Sequence, residues 1–131
     1  MYDNPESLTL FAASNDGGDY GDMSVSAPAV AKNCLTVGAA ESESLPTTTV
    51  ADFSSRGPTK DGRISPDVLA PGNALDSAQA SGAFASATCA VTSKSGTSMA
   101  VRARTVAWGL RECRVHRCAL SPQVARLSGC A

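Results

Sequence analysis

The sequence predicts an α/β fold that contains part of a parallel sheet, and three observations lead to this prediction. Hydrophobic residues make up 43% of the 131 residues and charged residues 18%, which is typical of a globular α/β domain. Several short apolar runs are each interrupted by glycine, proline or polar residues. The helices that should cover a parallel sheet are mostly absent. Short strands joined by long loops therefore indicate an open parallel sheet in an incomplete domain.

The first part of the chain predicts two strands. Residues 8–13 form a short apolar run rich in strand formers, and the polar, glycine-rich residues 16–26 that follow it predict a loop. Residues 34–39 predict the second strand, and the polar residues 41–49 predict another loop.

The next part predicts two more strands and one helix. Residues 50–53 predict a short strand, which a turn ends, and residues 67–70 predict a fourth strand, which Pro-Gly stops. Residues 73–95 are small and polar and predict a long surface connection. Ser98 is then expected to open a helix.

Ser98 lies in the string Ser-Gly-Thr-Ser-Met-Ala at residues 95–100. A serine hydroxyl is a weak nucleophile that needs an adjacent base. The surroundings favour a nucleophile, because Gly96 allows close approach to the backbone and a helix starting at Ser98 would aim unpaired N–H groups at developing negative charge. The alternative is that Ser95, Thr97 and Ser98 only cap a helix.

Three segments, taken together, resemble the subtilisin-like serine proteases. The string at residues 95–100 resembles their nucleophile motif. Residues 12–17, Ala-Ala-Ser-Asn-Asp-Gly, resemble their strand-to-loop segment, and residues 50–72 resemble their F-S-S-x-G and P-D-V-x-A-P-G stretches. The resemblance covers roughly residues 8–100. Residues 50–72 and residues 26–39 are most similar to the large alkaline-protease branch of the family.

The resemblance implies roles for individual residues. Ser98 is expected to be the nucleophile, and the side chain of Asn15 is expected to donate to the oxyanion together with the Ser98 N–H. The alternative for Asn15 is an ordinary Asn-Asp-Gly turn. Ala12, Ala13 and Ser14 are expected to line the pocket for the residue before the scissile bond, although the family often has glycine where Ser14 stands.

The family orders its catalytic triad Asp, His, Ser, but the one histidine of this sequence, His116, follows Ser98. We therefore expect the chain to be the C-terminal part of a catalytic domain and to be inactive alone. The alternative is a non-catalytic truncated product, or half of a peptide-binding groove. In-frame Asp and His motifs upstream in the genomic DNA would distinguish the two.

Residues 1–100 are predicted to be the protease portion, and residues 101–131 an unmatched tail rich in arginine and cysteine. The net charge is −6 over residues 1–100 and +5 over residues 101–131, for a total of −1. A shifted reading frame or a natural variant would explain the tail. We expect the tail from Val101 onward not to pack as the family's buried helix. Arg102 and Arg104 cannot both stay buried without partners, so they should turn to solvent or break the docking, and residues 111–131 should lack order.

The sequence predicts no cofactor. Calcium sites are common in the family, but no ligand set can be mapped here, and Cys113, His116 and Cys118 suggest zinc only faintly. Cys34 and Cys89 either pair in a disulfide, if the parent protein is secreted, or are separate buried residues.

The resemblance implies a polypeptide substrate and a secreted full-length parent, whereas this chain opens without a signal peptide, which leaves its own location open. No nucleic-acid partner is predicted, because the arginine tail carries no recognisable nucleic-acid-binding motif. No membrane partner is predicted, because no apolar run reaches 18 residues.

Overall fold

A three-stranded parallel sheet forms the centre of the molecule. The computed structural model describes residues 8–41, 49–79 and 90–105. Strands β1 (Leu10–Ala12), β2 (Leu35–Ala40) and β3 (Val68–Pro71) lie in the order β1-β2-β3 and are all parallel. The register pairs Leu10 with Leu35 and Val37 with Val68. The predicted α/β fold with a partial parallel sheet is confirmed, and three of the four predicted strands are present.

The core lies against the middle strand. Residues 36–40 of β2 are all buried, as expected of a parallel strand covered on both faces. The core cluster is built mainly from small residues, namely Val37, Ala39, Ala51, Ala70 and Ala100. Small side chains allow the sheet and the segments packed on it to approach closely.

Helix α2 carries the predicted nucleophile. It begins at residue 97, one residue before the predicted start, and continues to the end of the described range at residue 105. Val101 packs partly against the core cluster. Arg102 is exposed as expected, whereas Arg104 is half-buried. The predictions for residues 111–131, His116, Cys113 and Cys118 concern residues outside the described ranges.

Three local predictions were wrong. Residues 50–53 do not form a strand: Val50 makes a single antiparallel bridge with Ala40, and residues 52–53 form a turn. The predicted loop after β1 contains a one-turn helix, α1 (Gly17–Tyr20). The predicted surface connection contains an antiparallel ribbon of β4 (Leu75–Ala78) and β5 (Val91–Lys94). Most of the ribbon's residues are exposed, so no apolar alternation marks it in the sequence.

Cys34 carries a free thiol, which lies 3.2 Å from the carbonyl oxygen of Ala31. Cys89, its predicted disulfide partner, lies outside the described residues. Within the described part of the chain, no group of three or more His, Cys, Asp or Glu side chains could hold a metal ion. None of the helices described is both long and apolar enough to cross a membrane.

Candidate active site at the carboxyl edge of the sheet

The loops that follow the three parallel strands meet the start of helix α2 at one edge of the sheet. The Gly72 N–H, just after β3, donates to the carbonyl oxygen of Ala40 at the end of β2 (2.9 Å). The Gly96 N–H, just before α2, donates to the Gly72 carbonyl oxygen (2.8 Å). Ligand sites of open α/β sheets form at this carboxyl edge. Ser98 and Asn15, which are 83 positions apart in the sequence, are therefore brought to the same edge.

Asn15 is held against the start of helix α2 by its side-chain oxygen. Its Oδ1 atom accepts two hydrogen bonds from Thr97, one from the backbone N–H and one from the hydroxyl, both at 2.9 Å. Because the oxygen faces Thr97, the Nδ2 atom of the same amide is directed elsewhere and keeps its two protons for another acceptor. Nδ2 lies beside Gly96, where an added Cβ would be 3.6 Å from it.

The first turn of helix α2 leaves the Ser98 N–H available. The Gly96 carbonyl accepts the N–H groups of Met99 (3.0 Å) and Ala100 (3.3 Å), and the Thr97 N–H is bound by the asparagine. Within the described residues the Ser98 N–H donates no hydrogen bond, as is common in the first turn of a helix. The Ser98 residue itself is exposed.

The site therefore presents two hydrogen-bond donors and a hydroxyl. The donors are the backbone N–H of Ser98 and the Nδ2 atom of Asn15, neither of which is paired within the described ranges. Both are neutral, and the positive end of the helix dipole lies on the same side. Such an arrangement favours an anionic oxygen.

Ser55 holds the loop on both sides of Asn15. The Ser55 N–H donates to the carbonyl oxygen of Ser14 (3.1 Å), and the Ser55 hydroxyl accepts the N–H of Asp16 (3.0 Å). Ser55 is fully buried. The sequence predicts only a turn at this serine and does not indicate this role. Two consecutive serines directly after the apolar Phe53, in a segment whose composition otherwise suits a strand, are the signal that could have indicated it.

Gly17 brings the same loop into contact with the segment that carries Ser55. Its N–H donates to the carbonyl oxygen of Phe53 (3.0 Å). A Cβ at this position would lie 2.1 Å from the carbonyl oxygen of Ser54, so no other residue can be accommodated without moving the backbone.

The residues expected to line the substrate pocket lie at the end of β1. Ala13 is fully buried, and its N–H donates to the Val37 carbonyl oxygen (3.0 Å). Ala12 and Ser14 are half-buried. Ser14 has a φ of 93°, in the left-handed region that favours glycine, and its hydroxyl donates to the Asp16 carboxylate (2.6 Å). The glycine that the family often has here would adopt this φ without strain.

The sequence matches a known protein family over most of its length. The model described as the subtilase family matches residues 2–101. Among curated relatives, the serine protease AprX of Bacillus subtilis (strain 168) is 41% identical over 68 residues, which is 50% of this chain and 15% of that protein. The serine protease/ABC transporter B family protein tagD of Dictyostelium discoideum is 43% identical over 67 residues, which is 44% of this chain and 4% of that protein.

Solved structures show the same likeness. The S41 psychrophilic protease aligns with a TM-score of 0.53 and 34% identity, over 71% of this chain and 29% of its own. Sphericase aligns with a TM-score of 0.55 and 27% identity, over 75% of this chain and 31% of its own. The 131 residues thus span less than a third of each of these relatives.

Proposed function

Because the chain belongs to the subtilase family of serine proteases, we propose that it carries the nucleophile and the oxyanion donors of a serine endopeptidase site. In this proposal, the hydroxyl oxygen of Ser98 attacks the carbonyl carbon of a peptide bond. The Ser98 N–H and the Nδ2 atom of Asn15 bind the oxyanion that forms. The serine proton passes to a general base and from it to the amine of the following residue, which leaves when the tetrahedral intermediate collapses, and water then hydrolyses the ester that remains on Ser98.

One observation carries this proposal: the side-chain oxygen of Asn15 faces Thr97 and accepts two hydrogen bonds from it. A turn asparagine would use its oxygen within its own loop. Here the oxygen is bound across 82 positions to the residue before Ser98, so the amide nitrogen is oriented as a donor at the site. In this proposal the donor is in place before substrate binds, as preorganised stabilisation of a transition state requires.

The substrate in this proposal is a polypeptide whose side chain before the scissile bond lies against residues 12–14. The steps use only protein groups, so we include no cofactor, and we include no nucleic-acid or membrane partner. We place the longer parent protein outside the cell, on the strength of the family resemblance.

A histidine general base must come from residues other than those described, because residues 8–105 contain no histidine. We propose that the carboxylate that orients it also lies outside them, as the family order Asp, His, Ser implies. We propose that the 131-residue chain alone does not hydrolyse peptides. Incubation with a fluorophosphonate should leave Ser98 unlabelled, whereas the complete S41 psychrophilic protease serves as the positive control. Stoichiometric labelling of Ser98, lost in Ser98→Ala, would show that the chain is active by itself.

The roles of Ser98 and Asn15 are tested in a chimera. Residues 8–105 replace the matching segment of the S41 psychrophilic protease, which supplies the rest of the catalytic domain. Ser98→Ala should abolish peptide hydrolysis, whereas Ser93→Ala, at an exposed position of the ribbon, should leave it unchanged. An active chimera that tolerates Ser98→Ala would disprove the nucleophile assignment.

Two substitutions of Asn15 separate its structural and chemical roles. Asn15→Asp keeps an oxygen to accept the Thr97 hydrogen bonds but removes the donor, whereas Asn15→Ala removes both. Removing one such donor lowers kcat by about 10²–10³-fold in subtilisin, a member of this family, so this range is a family value rather than one derived from this structure. We expect at least this loss in both variants, with KM little changed, because the donor acts mainly in the transition state.

Stability should distinguish the two variants. Asn15→Ala loses two hydrogen bonds, each of which contributes about 1 kcal/mol to the free energy of unfolding. Asn15→Asp should be closer to the unsubstituted chimera. Asn33→Asp and Asn33→Ala, at an exposed turn position, are the matched controls and should alter neither kcat nor stability. Full activity in Asn15→Asp would refute the oxyanion assignment.

A further inference from the structure

A chain of side-chain hydrogen bonds joins the end of β2 to the residue before Gly96. The Asn73 Nδ2 atom donates to the Glu41 carboxylate (2.5 Å), and the Ser95 hydroxyl donates to the Asn73 Oδ1 atom (2.7 Å). The Ser95 hydroxyl oxygen also accepts the Ala74 N–H (2.9 Å). The amide of Asn73 therefore uses both of its ends, one towards each neighbouring segment.

This network lies directly next to the candidate active site. Ser95 is followed by Gly96 and Thr97, and the backbone N–H groups of these two residues bind the Gly72 carbonyl oxygen and the Asn15 side chain. The position of Ser95 therefore influences the path by which the chain enters helix α2. Backbone hydrogen bonds at this entry come from the Gly96 N–H to the Gly72 carbonyl oxygen (2.8 Å) and from the ribbon, whose register pairs Leu75 with Lys94. The side-chain network adds a further connection at Ser95, between these two.

We propose that Asn73 is a positioning residue for Ser98. Its amide links the carboxyl end of β2 to the segment before helix α2, and thereby holds the Thr97–Asn15 hydrogen bonds and the Ser98 N–H in a fixed relation. Asn73 does not touch the reacting atoms. The expected effect on kcat rests on the proposed function, whereas the expected effect on the backbone at Gly96 and Thr97 does not.

The network can be tested by exchanging the amide of Asn73 and the carboxylate of Glu41 between the two positions. Asn73→Asp sets a second carboxylate against that of Glu41, which breaks the link by repulsion. Glu41→Gln alone keeps an acceptor oxygen for the Asn73 amide. The double variant Glu41→Gln with Asn73→Asp restores the link, because the new amide at position 41 donates to the new carboxylate at position 73, which still accepts the Ser95 hydroxyl. The double variant also restores the net charge.

The first measurement is amide hydrogen exchange in the 131-residue chain, which requires no activity. Asn73→Asp should speed exchange at Ala74, Gly96 and Thr97 by about tenfold or more, the factor that corresponds to about 1.4 kcal/mol. The amide of Ala13, bonded to the Val37 carbonyl, reports general destabilisation and should change much less. The double variant should return all three rates towards those of the original chain.

The second measurement is steady-state kinetics of the chimera. Asn73→Asp should lower kcat by about ten- to a hundredfold, because small misplacements of a catalytic group have effects of this size. KM should change by less than about threefold, since substrate contacts are kept. Glu41→Gln and the double variant should retain kcat within about threefold of the unsubstituted chimera. Asn33→Asp, the same chemical change at an exposed turn, is the matched control.

The outcomes separate the two proposals. An inactive unsubstituted chimera would count against the proposed function, while the exchange measurement would still test the positioning role. An active chimera whose kcat is unchanged by Asn73→Asp would overturn the positioning role, as would exchange at Gly96 and Thr97 that stays as slow as in the original chain. A loss that the double variant does not restore would show that Asn73 acts only as a general structural residue.

Discussion

Gly72→Ala should destabilise the fold by forcing the sheet and helix α2 apart. An added Cβ at position 72 would lie 2.6 Å from the Cβ of Ala39, 3.0 Å from the carbonyl oxygen of Gly96 and 3.1 Å from the Cβ of Ala100. Carbon atoms in ordinary contact are about 3.5–4.0 Å apart, so the closest overlap is roughly 1 Å. Neither alanine has a rotamer to change, so only backbone movement can relieve the overlap.

The expected size follows from these contacts. Overpacking a core by one methyl group costs about 1–3 kcal/mol, and rigid neighbours on three sides favour the upper end of that range. With a loss of about 3 kcal/mol and an m value of about 1–3 kcal/mol/M in urea, the midpoint of unfolding should fall by about 1–3 M. Urea denaturation of the 131-residue chain, followed by circular dichroism, measures this shift.

Gly18→Ala is the matched control. Its added Cβ would meet only the carbonyl oxygen of Asp52, at 3.9 Å, which is an ordinary contact. We expect a change of less than about 1 kcal/mol, in the stabilising direction, because alanine restricts the unfolded chain. Equal midpoints for Gly72→Ala and the unsubstituted chain would refute the close packing of helix α2 on the sheet. An equal fall in both variants would refute the attribution to Gly72.

Three further predictions concern single side chains. Hydrogen bonds from Thr59, and then from Arg63, hold the pKa of the Asp61 carboxyl well below its usual range. The ionised carboxylate therefore contributes fully to the free energy of unfolding above the unfolded-state pKa of about 4. That contribution is lost as the pH falls towards the pKa of the folded state. Asp61→Asn should therefore lower the urea midpoint at pH 7 but not in strong acid, and Asp22→Asn, the exposed control, should not. Ser54→Ala should destabilise by about 1–3 kcal/mol, because the buried hydroxyl of Ser54 accepts the Ala39 N–H (3.0 Å), whereas Ser93→Ala should have little effect. Ala74→Gly should raise the urea midpoint by the equivalent of up to about 1 kcal/mol, because relief of the strained φ of 52° (about 1–2 kcal/mol) exceeds the entropy cost of glycine (about 0.5–1 kcal/mol). Ala78→Gly, in the extended ribbon, relieves no strain and should lower the midpoint. A fall in both variants would contradict strain at Ala74.

The parallel strands could be predicted because buried strands have a distinct composition. Strand β2 is buried from residue 36 to residue 40, so its sequence is an uninterrupted run of small or apolar residues. Strands β1 and β3 border it and end at polar or Pro-Gly breaks. The start of helix α2 could be predicted to within one residue, because the string around Ser98 contains residue types that favour a helix start and the close-approach glycine.

The ribbon of β4 and β5 could not be predicted, because its stability comes from backbone pairing rather than from burial. Its register pairs Leu75 with Lys94 and Ala78 with Val91. Val91 is 64% exposed, so this apolar residue of the ribbon does not mark a buried face. Exposed pairing of this kind leaves no period in the sequence.

The failed strand at residues 50–53 shows how the candidate site shapes the fold. Its composition suits a strand, but its backbone groups have other partners: Ala51 donates to the Ala39 carbonyl oxygen, and the Phe53 carbonyl accepts the Gly17 N–H. The segment leaves the sheet after one bridge and turns so that Ser55 can hold the loop on both sides of Asn15. The strand propensity of residues 50–53 is therefore overridden by long-range contacts, in which the buried Ser55 fixes the loop that carries the exposed Asn15.

The orientation of Asn15 depends on contacts that no local pattern contains. Thr97 supplies both donors to its oxygen, and Ser55 fixes the residues on either side of it. The motif strings identify which residues meet, but the direction of the amide follows only from the pairing of segments 82 positions apart. The proposed role of the Asn73 network is similar to that of Ser55. The network fixes the chain before Thr97, and Ser55 fixes the chain around Asn15. If the proposals hold, side chains that do not touch the substrate hold the donors of this site from both sides. Variants of Ser55 and Asn73 should then impair the site, although Ser98 and Asn15 themselves are unchanged.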